Sequence, residues 1–253
     1  MAVAQWGSYE ELKPDQLRQI VGQAPVVYWP LGLIEHHGWH LPLGFDGIKA
    51  RRLCERMAAR TGGVLLPVMW WGGEGGHGLF KWSLYQPPEA AQAILRNTVE
   101  RLLNSGFRCF VLVAGHYPWR RIMDGALPPL ARAHPDALFI WGTEMELGGE
   151  GLRLPGDHAA RWETAYGLAL LPELVDVTAL KGGRAEADEW PEGRPPAAEG
   201  RHPGVVFDAA APLFAQMGED ARRADAAEAE ALVERLVQSV ASRVNEWLRR
   251  QRA

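Results

Sequence analysis

Four compact apolar runs set the architecture open to this chain: Val26–Leu31, Gly63–Met69, Arg108–Ala114 and Ala137–Trp141. Each is short and rich in branched or aromatic residues, which reads as a buried strand. Between them, Gly47–Ala59 and Glu89–Ser105 show helical spacing. The second opens behind Pro87-Pro88, repeats apolar side chains at Ala91, Leu95, Val99 and Leu102, and stops at Gly106, so both of its ends are marked. Alternating strands and helices of this kind predict an α/β fold, with a mostly parallel sheet covered on both faces. A last helix, placed at about Glu219 to Arg250, carries Val233, Leu236, Val237, Val240, Val244, Trp247 and Leu248 as one apolar stripe for docking onto the body.

The 253 residues suit a single domain. From Lys181 to Gly204 the character shifts to Gly, Pro, Glu and Arg, a surface excursion that serves as either a lid or a subunit contact. A formal net charge of -4 without a basic block argues against nucleic acid as a partner. No run approaches the ~20 apolar residues of a membrane helix, and the start MAVAQWGSYEELKPDQ lacks the features of a signal peptide. Cys54 and Cys109 belong to no Cys-x-x-Cys pair, so they read as buried free thiols of a cytoplasmic protein.

The chemistry is densest just after the first strand, in Pro30-Leu31-Gly32-Leu33-Ile34-Glu35-His36-His37-Gly38-Trp39-His40-Leu41-Pro42-Leu43-Gly44-Phe45-Asp46. Extended backbone sends alternate side chains to one side, so Glu35 and His37 can converge. Asp46 follows where a helix begins, as a third ligand or simply as that helix's N-cap. Carboxylate and imidazole together suit Zn, Mn or Fe better than Ca or Mg. A single His in a loop is ordinarily structural, but three His and a Glu within six residues favour a metal. Gly115-His116-Tyr117 ends another strand, and ligands of open α/β sheets sit at such carboxyl ends, which puts His116 on the same rim. A third cluster, Gly156 to Thr164, leads into an apolar helix, with Asp157 as its candidate cap and Glu163 on it.

The loop from Pro30 to Asp46 resembles the signature of the creatininase (creatinine amidohydrolase) family. Gly115-His116-Tyr117 is similar to that family's second metal-binding turn, and His158-Ala159-Ala160-Arg161-Trp162-Glu163-Thr164 to its third motif, His-Ala-Gly-Glu-x-Glu-Thr. Order and spacing agree over about Val26 to Leu171. The resemblance implies a three-layer α/β/α fold, often assembled into hexamers, and hydrolysis of a non-peptide C–N bond in a small cyclic or linear amide. It implies one metal on Glu35 and His116, another on His37, Asp46 bridging them, and His158 as proton shuttle. Glu163 would be either a ligand of the second metal or the carboxylate that orients the attacking water.

Departures from the pattern leave the count at one or two divalent metals per chain. Creatininases carry Glu two residues after the turn His, where this chain has Pro118, which offers no side-chain ligand. Ala160 and Arg161 replace Gly and Glu of the third motif, and Trp39 replaces a usual Pro. His77–Leu84 resembles a family loop altered by Lys81 and Trp82, so creatinine itself is a poor substrate candidate. Tyr117, Trp119, Trp82, His77 and Arg161 are the candidate substrate contacts, with Trp39 and Trp162 close by in an aromatic wall and Arg161 as a carboxylate anchor. The run Gly72-Gly73-Glu74-Gly75-Gly76 lacks the Lys-Ser/Thr ending of a phosphate loop and reads as a flexible loop beside the site. The competing account is a catalytically silent relative that keeps the fold and binds a ligand or metal without turnover.

Overall fold

The computed structural model describes residues 5–73, 77, 79–185 and 189–252. Five parallel strands form one sheet in the order β1-β3-β2-β4-β5. They are β1 (Trp6–Ser8), β2 (Val26–Leu31), β3 (Gly63–Leu65), β4 (Cys109–Ala114) and β5 (Leu138–Thr143). Every residue of β2 and β4 is buried, because alternate side chains feed two different cores. Val26, Tyr28, Cys109, Val111 and Val113 face α2 (Phe45–Thr61), α5 (Arg161–Leu170) and α6 (Ala226–Arg252). Val27, Trp29, Leu31, Phe110 and Leu112 face α1 (Pro14–Gln23), α3 (Pro88–Asn104) and α4 (Trp119–Ala133). The fold is therefore the expected three-layer α/β/α arrangement, and burial on both faces explains strands without polar alternation.

Boundaries shift where local chemistry dictates. The second apolar run, Gly63–Met69, pairs as a strand only to Leu65; Pro67 has no N–H to give a ladder, and contact resumes as a single bridge between Leu31 and Met69. α6 starts at Ala226 because Asp225 Oδ1 accepts the N–H groups of Ala227 (2.8 Å) and Glu228 (3.1 Å). The residues before it form a separate turn, Ala221–Arg223. β1 and α1 had no strong apolar signal. α4 was masked by Pro128-Pro129, yet it runs through them with Ile122, Met123, Ala126, Leu127 and Leu130 buried. The excursion's described residues reach the body through Trp190, whose ring packs on Phe80, Phe207 and Phe214. Glu74, Gly75 and Gly76 of the glycine-rich run lie outside the described residues, as do Glu186, Ala187 and Asp188 of the excursion. No described helix is long and apolar enough to cross a membrane.

Candidate metal centre

The carboxyl ends of β2 and β4 place the site. Beyond β2, the chain turns at Gly32, where an added Cβ would meet Gly47 Cα at 2.3 Å. Beyond β4, an added Cβ on Gly115 would meet Asp46 carbonyl oxygen at 1.9 Å. These two contacts clamp the first turn of α2 between the strand ends, and the cost of a side chain there falls on backbone, which cannot swing away. Gly115→Ala is therefore expected to separate His116 from Asp46 and to destabilise the protein by more than about 2 kcal/mol, as a thermal melt with metal analysis would show. An unchanged melt would mean that the turn is not clamped.

Asp46 does not cap α2. The N-cap is Gly44, and Asp46 sits inside the first turn with its side chain turned to the two histidines. Its Oδ1 lies 3.1 Å from His37 Nε2, and its Oδ2 lies 3.2 Å from His116 Nδ1 without accepting a hydrogen bond. His116 Nδ1 is also 3.1 Å from Glu35 Oε2, and His37 Nε2 is 3.7 Å from Glu163 Oε2. Two triads of converging ligand atoms result, Glu35–Asp46–His116 and His37–Asp46–Glu163, with Asp46 in both; Glu35, His37 and His158 form a further convergent group. All these residues are buried.

The outward nitrogens fix the tautomers. His37 Nδ1 donates to the Glu35 carbonyl (3.0 Å), His116 Nε2 to the Gly73 carbonyl (3.0 Å) and His158 Nε2 to the His36 carbonyl (3.0 Å). Each ring therefore turns its other nitrogen inward, the arrangement by which outer hydrogen bonds orient metal-ligating imidazoles. Burial alone would lower the His37 pKa, but Asp46 and Glu163 raise it to about 9. Burial opposes protonation of His116 too, and Glu35 and Asp46 lift it to about 10. Protons on these rings hold the place that a cation would take from the same lone pairs. His158 goes the other way: burial and the neighbouring His37 lower its pKa and keep it neutral. It lies between His77 and His37, at ring-centroid distances of 3.5 and 4.4 Å.

An outer layer that the sequence did not reveal supports these ligands. Lys49, 1% exposed, donates to Glu163 Oε1 at 2.8 Å and to Glu144 Oε1 at 2.9 Å. Its ammonium stays charged because Glu144 and Glu163 outweigh the cost of burial. Tyr85 donates to Glu35 Oε1. Asp157 is not the N-cap of α5, a place that Ala160 takes, but from outside the helix its carboxylate accepts the N–H groups of Trp162 (2.7 Å) and Glu163 (3.0 Å) in the first turn. Lys49 had a readable signal, a charge on the face of α2 shared by Phe45, Ala50 and Leu53. Tyr85 and Glu144 had none.

Several candidate substrate contacts move. Trp119 is fully buried in the α3/α4 layer, its indole N–H donating to the Gly32 carbonyl at 2.9 Å, so it stabilises the fold behind the site. Trp82 is 60% exposed, with Lys81 Nζ 5.1 Å from its ring. Arg161 is already engaged, at 2.9 Å from Glu228 and 3.3 Å from Glu219, and its guanidinium lies over Trp162. An anchor for a substrate carboxylate needs a free guanidinium, which this geometry does not supply. Tyr117 donates to Glu144 Oε1 at 2.9 Å and so stands behind the ligands. His77 alone of the five touches the histidine group directly. Instead of the expected wall, Trp39 stacks on Phe214 and both rings contact His36.

This arrangement of strand ends, carboxylates and imidazoles defines an α/β protein with a candidate metal centre, and comparison places it further. The creatininase (creatinine amidohydrolase) family pattern matches residues 10–244, and the chain belongs to that family. It is 26% identical over 179 residues to the 3-dehydro-scyllo-inosose hydrolase of Thermotoga maritima, covering 66% of this chain and 57% of that one. The chain therefore spans little more than half of that relative's length. It is 29% identical over 184 residues to a mycofactocin precursor peptide peptidase of Mycobacterium ulcerans, covering 69% and 70% of the two chains. A solved creatininase shares the fold, with a TM-score of 0.69 at 23% identity over 94% of this chain and 96% of that one. Structures of the same fold include a Zn–Zn form and a Mn form. A peptidase among the relatives removes the ground for restricting the bond class to non-peptide amides.

Proposed function

We propose that this chain is a divalent-metal-dependent hydrolase that cleaves the amide C–N bond of a small cyclic or linear substrate. The observation that carries this is the pair of buried triads sharing Asp46. The buried carboxylates of Glu35, Asp46 and Glu163 converge on the inward nitrogens of His37 and His116, and a divalent cation that displaces the protons from those rings finds charge and lone pairs already gathered for it. The donor set of imidazole and carboxylate fits Zn or Mn, with Fe as a further option. Glu163 stands where His37 and Asp46 need a third partner and so supplies what Pro118 withholds. When bound, a divalent pair activates water and polarises a carbonyl.

The chain's own groups account for the remaining needs. His158 is neutral, and its Nε2–H is committed to the His36 carbonyl, so Nδ1 is the nitrogen free to take a proton and pass it to the departing amine. His77, stacked on it, and burial all round keep bulk water from competing for that proton. Hydrolysis of cyclic and linear amides tests the proposal. Dialysis against a chelator is expected to abolish turnover, and Zn or Mn to restore it. Turnover that survives complete metal removal contradicts it. The silent-relative account expects metal binding with no turnover of any amide in either state.

A further inference from the structure

Five rings form a column that runs from the surface excursion to the metal centre. Between centroids, Trp190 lies 5.1 Å from Phe80, Phe80 5.6 Å from His77, His77 3.5 Å from His158, and His158 4.4 Å from His37. No step tilts by more than 35°. Hydrogen bonds alone do not hold this order. His158 has one polar tether on its ring, Nε2 to the His36 carbonyl at 3.0 Å, which pins a corner and leaves the ring free to swing about it. The direction of Nδ1 is therefore set by the two faces, His77 on one and His37 on the other. His77 is tethered less. Its Nε2 is buried without a hydrogen-bond partner among the described residues, and its Nδ1 stands 3.9 Å from Glu35 Oε1, beyond hydrogen-bond reach. What fixes the plane of His77 is Phe80 behind it, and Phe80 is wedged among Trp190, Phe207 and Phe214.

We propose that His77 is the positioning residue for His158, and that Trp190 of the excursion holds it in place through Phe80. Proton transfer to a departing amine depends on where Nδ1 points, and a misplacement of about 1 Å can cost on the order of 10²-fold in rate. Packing that locks the supporting rotamers is what prevents it. The far side of Trp190 is open, since with Leu79, Pro191, Pro195 and Pro196 it lines a cleft of about 470 Å³. Truncating the indole would join that cleft to the column and slacken every ring below it. The excursion is on this account the outer support of the proton carrier. The inference rests on the role given to His158 above.

Imidazole resonances of zinc-loaded protein with ¹³C-labelled histidine rings test it without requiring turnover. The Cε1–H signal of His158, assigned by its loss in His158→Ala, should lie upfield in wild type because the ring sits between two faces. Trp190 makes no ring contact with His77 or His158, yet Trp190→Ala should move that signal downfield and broaden it. Trp190→Phe should keep it near the wild-type position. On an amide that wild type hydrolyses, Trp190→Ala should lower kcat by about tenfold and His77→Ala by about 100-fold, with KM and metal content unchanged. His77→Phe keeps a flat ring and should recover most of that loss. An unmoved His158 signal in Trp190→Ala overturns the inference. So does His77→Phe as slow as His77→Ala, which would place the effect in a His77 nitrogen, or loss of metal in His77→Ala, which would make His77 a support of Glu35. If Trp190→Ala does not fold, Trp190→Leu, which fills the space without a flat face, decides by the same signal. Wild type that hydrolyses no amide overturns the hydrolase proposal instead, and the His158 signal still decides this one.

Discussion

Asp46→Asn is expected to empty both metal subsites at once while the chain stays folded. The carboxylate is the only group common to both triads among the described residues, one oxygen toward His37 and the other toward His116. The amide keeps the size of the side chain, so the close approach of Gly115 to the Asp46 carbonyl is undisturbed. What is lost is one negative charge shared by two cations. Affinity at each subsite should fall by more than the roughly 10–100-fold that loss of an outer-shell partner costs, and hydrolysis should fall with it. Elemental analysis beside a thermal melt gives the answer. Loss of one metal with retention of the other would show that Asp46 serves a single subsite.

His158→Ala is expected to separate chemistry from metal binding. His158 joins Glu35 and His37 in a third convergent group, so its position alone is compatible with a ligand. Its low proton affinity and its place between two other rings favour a proton carrier. Removal of a general acid–base group costs on the order of 10²–10⁴-fold in turnover. Metal content should remain as in wild type, and the melt should move modestly, because the ring's hydrogen bond to the His36 carbonyl and its stacking are lost together. A parallel loss of metal and turnover would make His158 a ligand.

The sheet and the convergent carboxylates and imidazoles were legible because both write themselves as local pattern. β2 and β4 are short unbroken apolar runs, and Glu35, His37 and Asp46 lie within one loop and the helix turn that follows it. Asp46 shows the limit of that reading. Cap and ligand predict the same residue at the same place, and only the direction of its carboxylate separates them. The outer layer was hidden for a related reason. Lys49 and Glu144 meet across 95 residues, and Tyr85 reaches Glu35 across 50, distances over which no spacing rule operates. Tryptophans misled because proximity in sequence to a motif does not fix which side of a strand end a ring occupies. Trp119 begins α4 and turns into the core, while Trp190, far from every motif, reaches Phe80 beside His77.

Metal content per chain, by elemental analysis of protein purified without chelators or an affinity metal, tests the central claim most directly. The two triads sharing Asp46 predict about two Zn, Mn or Fe per chain once both subsites are saturated. No bound metal, even after reconstitution with an excess of each ion, would contradict the hydrolase account and leave a fold whose buried carboxylates serve some other end.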